Sequence, residues 1–233
     1  MQPALDIRHI SKDFVFHHQN GLRIKVLDDF SMKFFPGQAS VLTGESGSGK
    51  STLLRMIYAG YSTSTGRILV RHKGEYVDIA TARPQLIYEI RRCTIGYVSQ
   101  FLRVVPRVSA LDTVRAPLLA RNIDEKKAGI RARELLERLN IPRELWHLSA
   151  TTFSGGEQQR INLARGFAAP YPVMLLDEPT ASLDPENRET VVELIMEAKQ
   201  NNACLIGIFH NKSDQDKISD HTINMFKKNK NRR

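Results

Sequence analysis

Short runs of Val, Ile and Leu recur along the chain without polar alternation, at Ser40–Thr43, Arg67–Val70, Thr94–Val98, Val173–Asp177 and Cys204–Phe209. Runs of this kind are strands buried on both faces of a sheet. Helical periodicity lies between several of them, so the pattern predicts an α/β fold. The segment Asn122–Asn140 reads as a helix. Asn122 and Glu125 resemble a capping box, Ile130, Leu135, Leu136 and Leu139 make its apolar face, and Pro142 stops it. Another helix is expected to start at Asp184-Pro185, with the aspartate as N-cap and the proline in the first turn. It would turn Val191, Leu194, Ile195 and Ala198 inward. Between Gln100 and Phe153 there is no strand-like run, which predicts a helical insertion. With no internal repeat and no low-complexity linker, the 233 residues are expected to form one domain: a core of residues 1–99 and 154–233, and a helical subdomain of residues 100–153.

Composition narrows the class. A hydrophobic content of 41% and a charged content of 25% are those of an ordinary globular protein. The longest apolar run, "ACLIGIF" at residues 203–209, is far short of the roughly 20 residues that span a bilayer. "MQPALDIRHI" lacks the apolar stretch of a signal peptide, so a cytoplasmic protein is expected. Cys93 and Cys204 fall in apparent strands and read as reduced core residues. The net charge of +9 ends in a basic tail, "KKNKNRR". That tail is either a solvated, frayed terminus or a strip that meets nucleic acid or a membrane surface. The positive balance also suits a protein that handles polyphosphates.

The chemistry is carried by two motifs. "GESGSGKST", Gly44–Thr52, follows a strand and opens a helix, which is the context a phosphate-binding loop requires. Gly44, Gly47 and Gly49, with Glu45, Ser46 and Ser48 between them, would turn backbone N–H groups around phosphate oxygens, and the helix N-terminus would add its dipole. Lys50 would reach the β- and γ-phosphates, the Ser51 hydroxyl would ligate Mg²⁺, and Thr52 closes the motif. "VMLLDEP", residues 173–179, is a buried strand with two carboxylates at its C-terminal end, where ligands sit in an open α/β sheet. Asp177 would hold Mg²⁺ through water, and Glu178 would orient and deprotonate the attacking water. A nucleoside triphosphate and Mg²⁺ are the implied ligands.

In order along the chain stand "GESGSGKST", "VSQF", "FSGGEQQR", "LLDEPTASLD" and "IFHN". This series resembles the ATP-binding-cassette family over essentially the whole length, and it implies a P-loop NTPase core of RecA-like type with an inserted α-helical subdomain. The resemblance implies an ATP-dependent head-to-tail dimer, homo- or heteromeric. In it Ser154, Gly155 and Gly156 of one protomer cover the γ-phosphate held by the other. It further implies that Gln100 reaches Mg²⁺ or the water, that Asp184 crosses to the opposite site, and that His210 contacts the γ-phosphate. Phe14, in "SKDF", would stack on adenine; a core phenylalanine is the alternative. The chain departs from the common pattern at Phe153, where leucine is usual, at Glu157, where glutamine is frequent, and at Asn211, where an acid usually follows the histidine.

Within that family the chain resembles the ATP-binding L-type proteins of the bacterial phosphonate carbon–phosphorus lyase system. The stretches that carry this are "GYVSQFLRVVPRVSALDTV" (96–114), "LWHL" (145–148), "TFSGGEQQRINLARGF" (152–167) and "VVELIMEAK" (191–199). The resemblance implies ATP hydrolysis in support of soluble G, H, I, J and K lyase subunits. With the G, H and I proteins among these, the implied product from MgATP and methylphosphonate is α-D-ribose 1-methylphosphonate 5-triphosphate. The alternative is the ATPase subunit of a transporter, of the lipoprotein-release or macrolide-exporter kind or a phosphonate importer. A nucleic-acid or ribosome partner is disfavoured, because such cassettes often come two to a chain. The run 101–119, with Arg103, Arg107 and Arg115 among apolar residues, is expected to dock a protein partner.

Overall fold

The computed structural model describes residues 1–16, 21–100 and 106–225. Arg103 and the basic tail therefore lie outside the described residues. Two sheets organise the chain. The first is antiparallel, in the order β2-β1-β4-β5, built from β1 (Leu5–Phe16), β2 (Leu22–Phe34), β4 (Thr65–His72) and β5 (Glu75–Asp78). The second is parallel, in the order β6-β7-β8-β3-β9, built from β3 (Ala39–Thr43), β6 (Ile95–Val98), β7 (Val173–Asp177), β8 (Cys204–Ile208) and β9 (His221–Asn224). Every residue of β7 and β8 is buried, as strands covered on both faces must be.

Alternate residues of the parallel sheet serve two cores. Val173, Leu175, Ile206 and Ile208 face the antiparallel sheet and α1 (Lys50–Ile57), joining Leu5, Ile10, Leu53 and Ile57. Met174, Leu176 and Leu205 face the other way. They meet α5 (Gly155–Phe167) and α6 (Pro185–Gln200), behind which pack α3 (Ala110–Leu119) and α4 (Glu125–Arg138). The remaining helices are α2 (Pro84–Cys93) and α7 (Lys212–Ile218). Described residues 106–153 contain helices, two short 3₁₀ turns and a single isolated bridge, Ser109 to Ser149.

Several expectations change. α4 is capped by Asp124, whose carboxylate accepts from the N–H groups of Lys126 and Lys127; Asn122 precedes the cap with a left-handed φ of 60°. The buried stripe of α4 is Ala128, Gly129, Ala132, Leu135 and Leu136, while Ile130 is 55% exposed. At 3.6 residues per turn, Ile130 stands roughly opposite Ala128. Cys93 ends a helix and is half-buried, whereas Cys204 opens β8, where burial pushes its thiol up to about 12. Both are free. The α6 expectation holds: Asp184 accepts from the N–H of Asn187, and Val191, Leu194 and Ile195 are buried.

Candidate nucleotide-binding site

The loop between β3 and α1 is shaped by its glycines. Gly44, Gly47 and Gly49 have φ of 135°, 75° and 96°, which L side chains resist. A Cβ on Gly44 would stand 2.5 Å from the carbonyl oxygen of Met225, so the chain just past β9 closes against the loop only because that side chain is absent. Gly49 caps α1 without a side-chain hydrogen bond, and the first turn carries no acid. No cap side chain therefore occupies the N–H groups of that turn, the arrangement an anion needs. Lys50 Nζ bends back over the loop and donates to the carbonyls of Gly44 (2.8 Å) and Glu45 (2.9 Å). It fills the space between the loop arms with positive charge. Glu45, Ser46 and Gly47 are exposed, Ser48 is buried, and Ser51 and Thr52 are half-buried.

Two strand ends complete the site. Asp177, the last residue of β7, is 4% exposed; its Oδ1 accepts from the Ser51 hydroxyl at 3.1 Å and its Oδ2 from the Tyr97 hydroxyl at 2.9 Å. Hydroxyl and buried carboxylate side by side, one end of the phosphate loop away, form a hard oxygen donor set that fits Mg²⁺. The next residue, Glu178, adopts a left-handed φ of 56°, a conformation that cores rarely tolerate and functional turns do. Its N–H donates to the Ile208 carbonyl at 3.0 Å, which ties the turn to β8. Gln100 Nε2 donates to Glu178 Oε2 at 2.9 Å, and His210 Nε2 stands 2.6 Å from Oε1. Three residues named from three separate motifs thus meet at one carboxylate. His210 itself is 71% exposed at its side chain, open to whatever enters the site.

The other expected residues make local contacts. Ser154 caps α5 in a full capping box: its hydroxyl accepts from the Glu157 N–H, and Glu157 Oε2 accepts from both the N–H and the hydroxyl of Ser154 at 2.8 Å. These bonds hold the Glu157 carboxyl below its usual range. The box gives Glu157 a reason to stand where glutamine is common. Gly155 has nothing within 4 Å of a built Cβ, so the start of α5 is an open surface. Asp184 is exposed, and its bonds to the Asn187 N–H and side chain depress its carboxyl. Asn211 caps α7 by accepting from the Ser213 N–H at 2.8 Å, a role in which an amide serves as well as an acid. Phe14 lies half-buried on β1, edge-on to Tyr61 at 5.3 Å between ring centres, with Lys12 Nζ 5.1 Å over its ring. Arg115 pairs with Asp112 at 2.7 Å, while Arg107 is exposed at a left-handed φ of 64°.

Sequence reasoning missed Tyr97, because a lone tyrosine in a strand carries no spacing signal. It also missed Asn162, whose Nδ2 donates to the Ser99 carbonyl at 2.6 Å and anchors the strand exit leading to Gln100.

A family model described as ABC transporter matches residues 27–181. The chain is 33% identical over 207 residues to the lipoprotein-releasing system ATP-binding protein LolD of a Shewanella species, spanning 88% of this chain and 86% of that protein. It is 32% identical to the LolD of Bordetella avium, over 97% of this chain and 94% of the other. A solved dimeric structure of the ATP-binding cassette MJ0796 in a post-hydrolysis state, bound to ADP and Pi, superposes with a TM-score of 0.84. That match has 23% identity and covers 95% of this chain and 94% of the other. Among the described residues no helix is long and apolar enough to cross a membrane.

Proposed function

Because the chain belongs to the ATP-binding-cassette family, the ABC transporter ATPases, we propose that it hydrolyses MgATP in a head-to-tail dimer and passes the resulting conformational work to partner subunits. The observation that carries this is the meeting of Gln100, His210 and Glu178 beside the Ser51–Asp177 pair. Lys50 and the amides of the loop bind the phosphates. Ser51, Asp177 and Gln100 hold Mg²⁺, which when bound neutralises charge on the β- and γ-phosphates. Glu178 takes a proton from the attacking water as the new P–O bond forms and the bond to ADP breaks. His210 and Gln100, which now flank the Glu178 carboxylate, turn from it to the γ-phosphate and the water. Ser154, Gly155 and Gly156 of the second protomer close the site, Asp184 reaches across the interface, and Phe14 meets adenine. Residues 100–153 act as the helical subdomain.

The partners we assign are the soluble phosphonate carbon–phosphorus lyase subunits, and the stretch 96–114 supports this. Within it, residues 96–98 belong to β6 beside the nucleotide site and residues 110–114 to α3, in the helical region where a cassette can distinguish partners. The comparisons favour a second reading over this one, through the likeness to lipoprotein-releasing ATP-binding proteins, which spans most of the chain. It makes this protein the ATPase of a membrane export system. The test is purification of the tagged chain from its native cell in mild detergent. Soluble lyase subunits are expected in stoichiometric yield; an integral membrane permease in their place would establish the export reading.

A further inference from the structure

We infer that Tyr97 is the positioning residue of the metal site: its phenol fixes the Asp177 carboxylate so that Oδ1 stays aimed at the Ser51 side of the site. This rests on the reading that Asp177 serves Mg²⁺. Among the described residues the side-chain donors to Asp177 are two, Ser51 at 3.1 Å and Tyr97 at 2.9 Å. Ser51 would itself ligate the ion, so of the two donors Tyr97 is the one that serves the carboxylate alone. It holds a side chain that is 4% exposed and has almost no water to replace the bond.

The phenol is itself held. Tyr97 projects from β6, the strand hydrogen-bonded beside β7, and its ring packs on Tyr58 at 5.1 Å between centres. Its hydroxyl is the group that donates to Asp177 Oδ2. Arg55 interacts with the same hydroxyl and donates to Tyr61 at 2.9 Å, and Tyr61 meets Phe14. Arg91 stacks over Tyr58 at 4.6 Å and donates to its carbonyl at 2.9 Å. A chain of side chains on α1, α2 and β6 thus sets one hydrogen bond to a metal-holding carboxylate. Outer partners of this kind alter metal affinity by about 10–100-fold when removed.

The test is Tyr97→Phe, which removes one oxygen and keeps the ring. Binding of a fluorescent ATP analogue is measured in EDTA and across a Mg²⁺ titration, with Asp177→Asn in parallel. The expected result is unchanged affinity in EDTA, within about twofold, and a half-saturating Mg²⁺ concentration raised about tenfold or more. Equal loss of affinity with and without Mg²⁺ would make Tyr97 a structural residue, and an unchanged Mg²⁺ requirement would overturn the inference outright. If Asp177→Asn itself keeps the parental Mg²⁺ dependence, the metal reading fails; if it loses that dependence while Tyr97→Phe does not, only the Tyr97 inference fails. The unsubstituted protein gives an independent readout. The Tyr97 ring ¹³Cζ resonance should shift when Mg²⁺ is added to the ADP-bound form, and no shift would also count against the role.

Discussion

Two adjacent carboxylates, Asp177 and Glu178, stand in different surroundings, and that difference assigns their tasks. Asp177 is buried and receives two hydroxyls, so it is held in place. Glu178 lies past the strand end in a left-handed turn, bonded to a glutamine and a histidine that are both exposed. Glu178→Gln keeps the shape and removes the base. It should lower ATP turnover by about 10²–10⁴-fold while leaving nucleotide affinity nearly unchanged, measured by phosphate release and by equilibrium binding. Turnover within a few-fold of the parent would remove Glu178 from the role of base. Most of these residues were legible in the sequence because each belongs to a motif with fixed flanks. Tyr97 was not, since its contribution comes from the β6–β7 register, which pairs Tyr97 with Leu175 and no local pattern encodes. Phe14 lay between two readings in the sequence, an adenine platform or a core phenylalanine; its half-buried edge contact with Tyr61 is compatible with both.

At the scale of elements, α5 joins the helical insertion to the core. Its first turn carries Ser154 and the open glycines, and its last turn rests on β6. The close approach is made at Gly166, where a built Cβ would stand 2.4 Å from Val98 Cγ2. Gly166→Ala should therefore destabilise the protein by about 1–3 kcal/mol through overpacking, read as a lower denaturant midpoint. The companion change Val98→Ala should recover part of the loss, and if Gly166→Ala alone is neutral the packing account is wrong. The fully buried strands β7 and β8, and β3, half-buried only at Thr43, were legible as apolar runs. The long hairpin of β1 and β2 was not. β2 alternates exposed and half-buried positions, and bulges at Ile7/Ile10 and Ile10/Lys12 break the period of two that would have marked β1. The α4 face was misjudged at Ile130 for a related reason. The start of its buried stripe is Ala128, Gly129 and Ala132, small residues that carry little hydropathy signal.

For the whole molecule, the two halves of the phosphate-binding chemistry have separate supports. Lys50 is spent on its own loop, and Ser154 on capping its own helix with Glu157. Each becomes part of one site only if two protomers pair head to tail, which makes the interface isologous in a homodimer and creates two equivalent sites. This predicts a separation of defects. Lys50→Ala should lose tight ATP binding by the isolated chain. Ser154→Ala should keep it, at a stability cost of about 1 kcal/mol for the lost cap, yet fail to hydrolyse. An equimolar mixture of the two inactive variants restores an intact pair in one site of every mixed dimer. With random pairing and independent sites, roughly a quarter of the parental rate should return. Phosphate release from the mixture, with mixed dimers verified by differential tagging, is the measurement. Mixed dimers that form and remain inactive would mean that Ser154 does not act across the interface, or that both sites must be intact. A tandem chain carrying both substitutions in one cassette and neither in the other separates these outcomes, because it too contains one Lys50 and one Ser154 but never in the same site. Activity in the mixture and none in the tandem chain is the pattern that head-to-tail pairing requires.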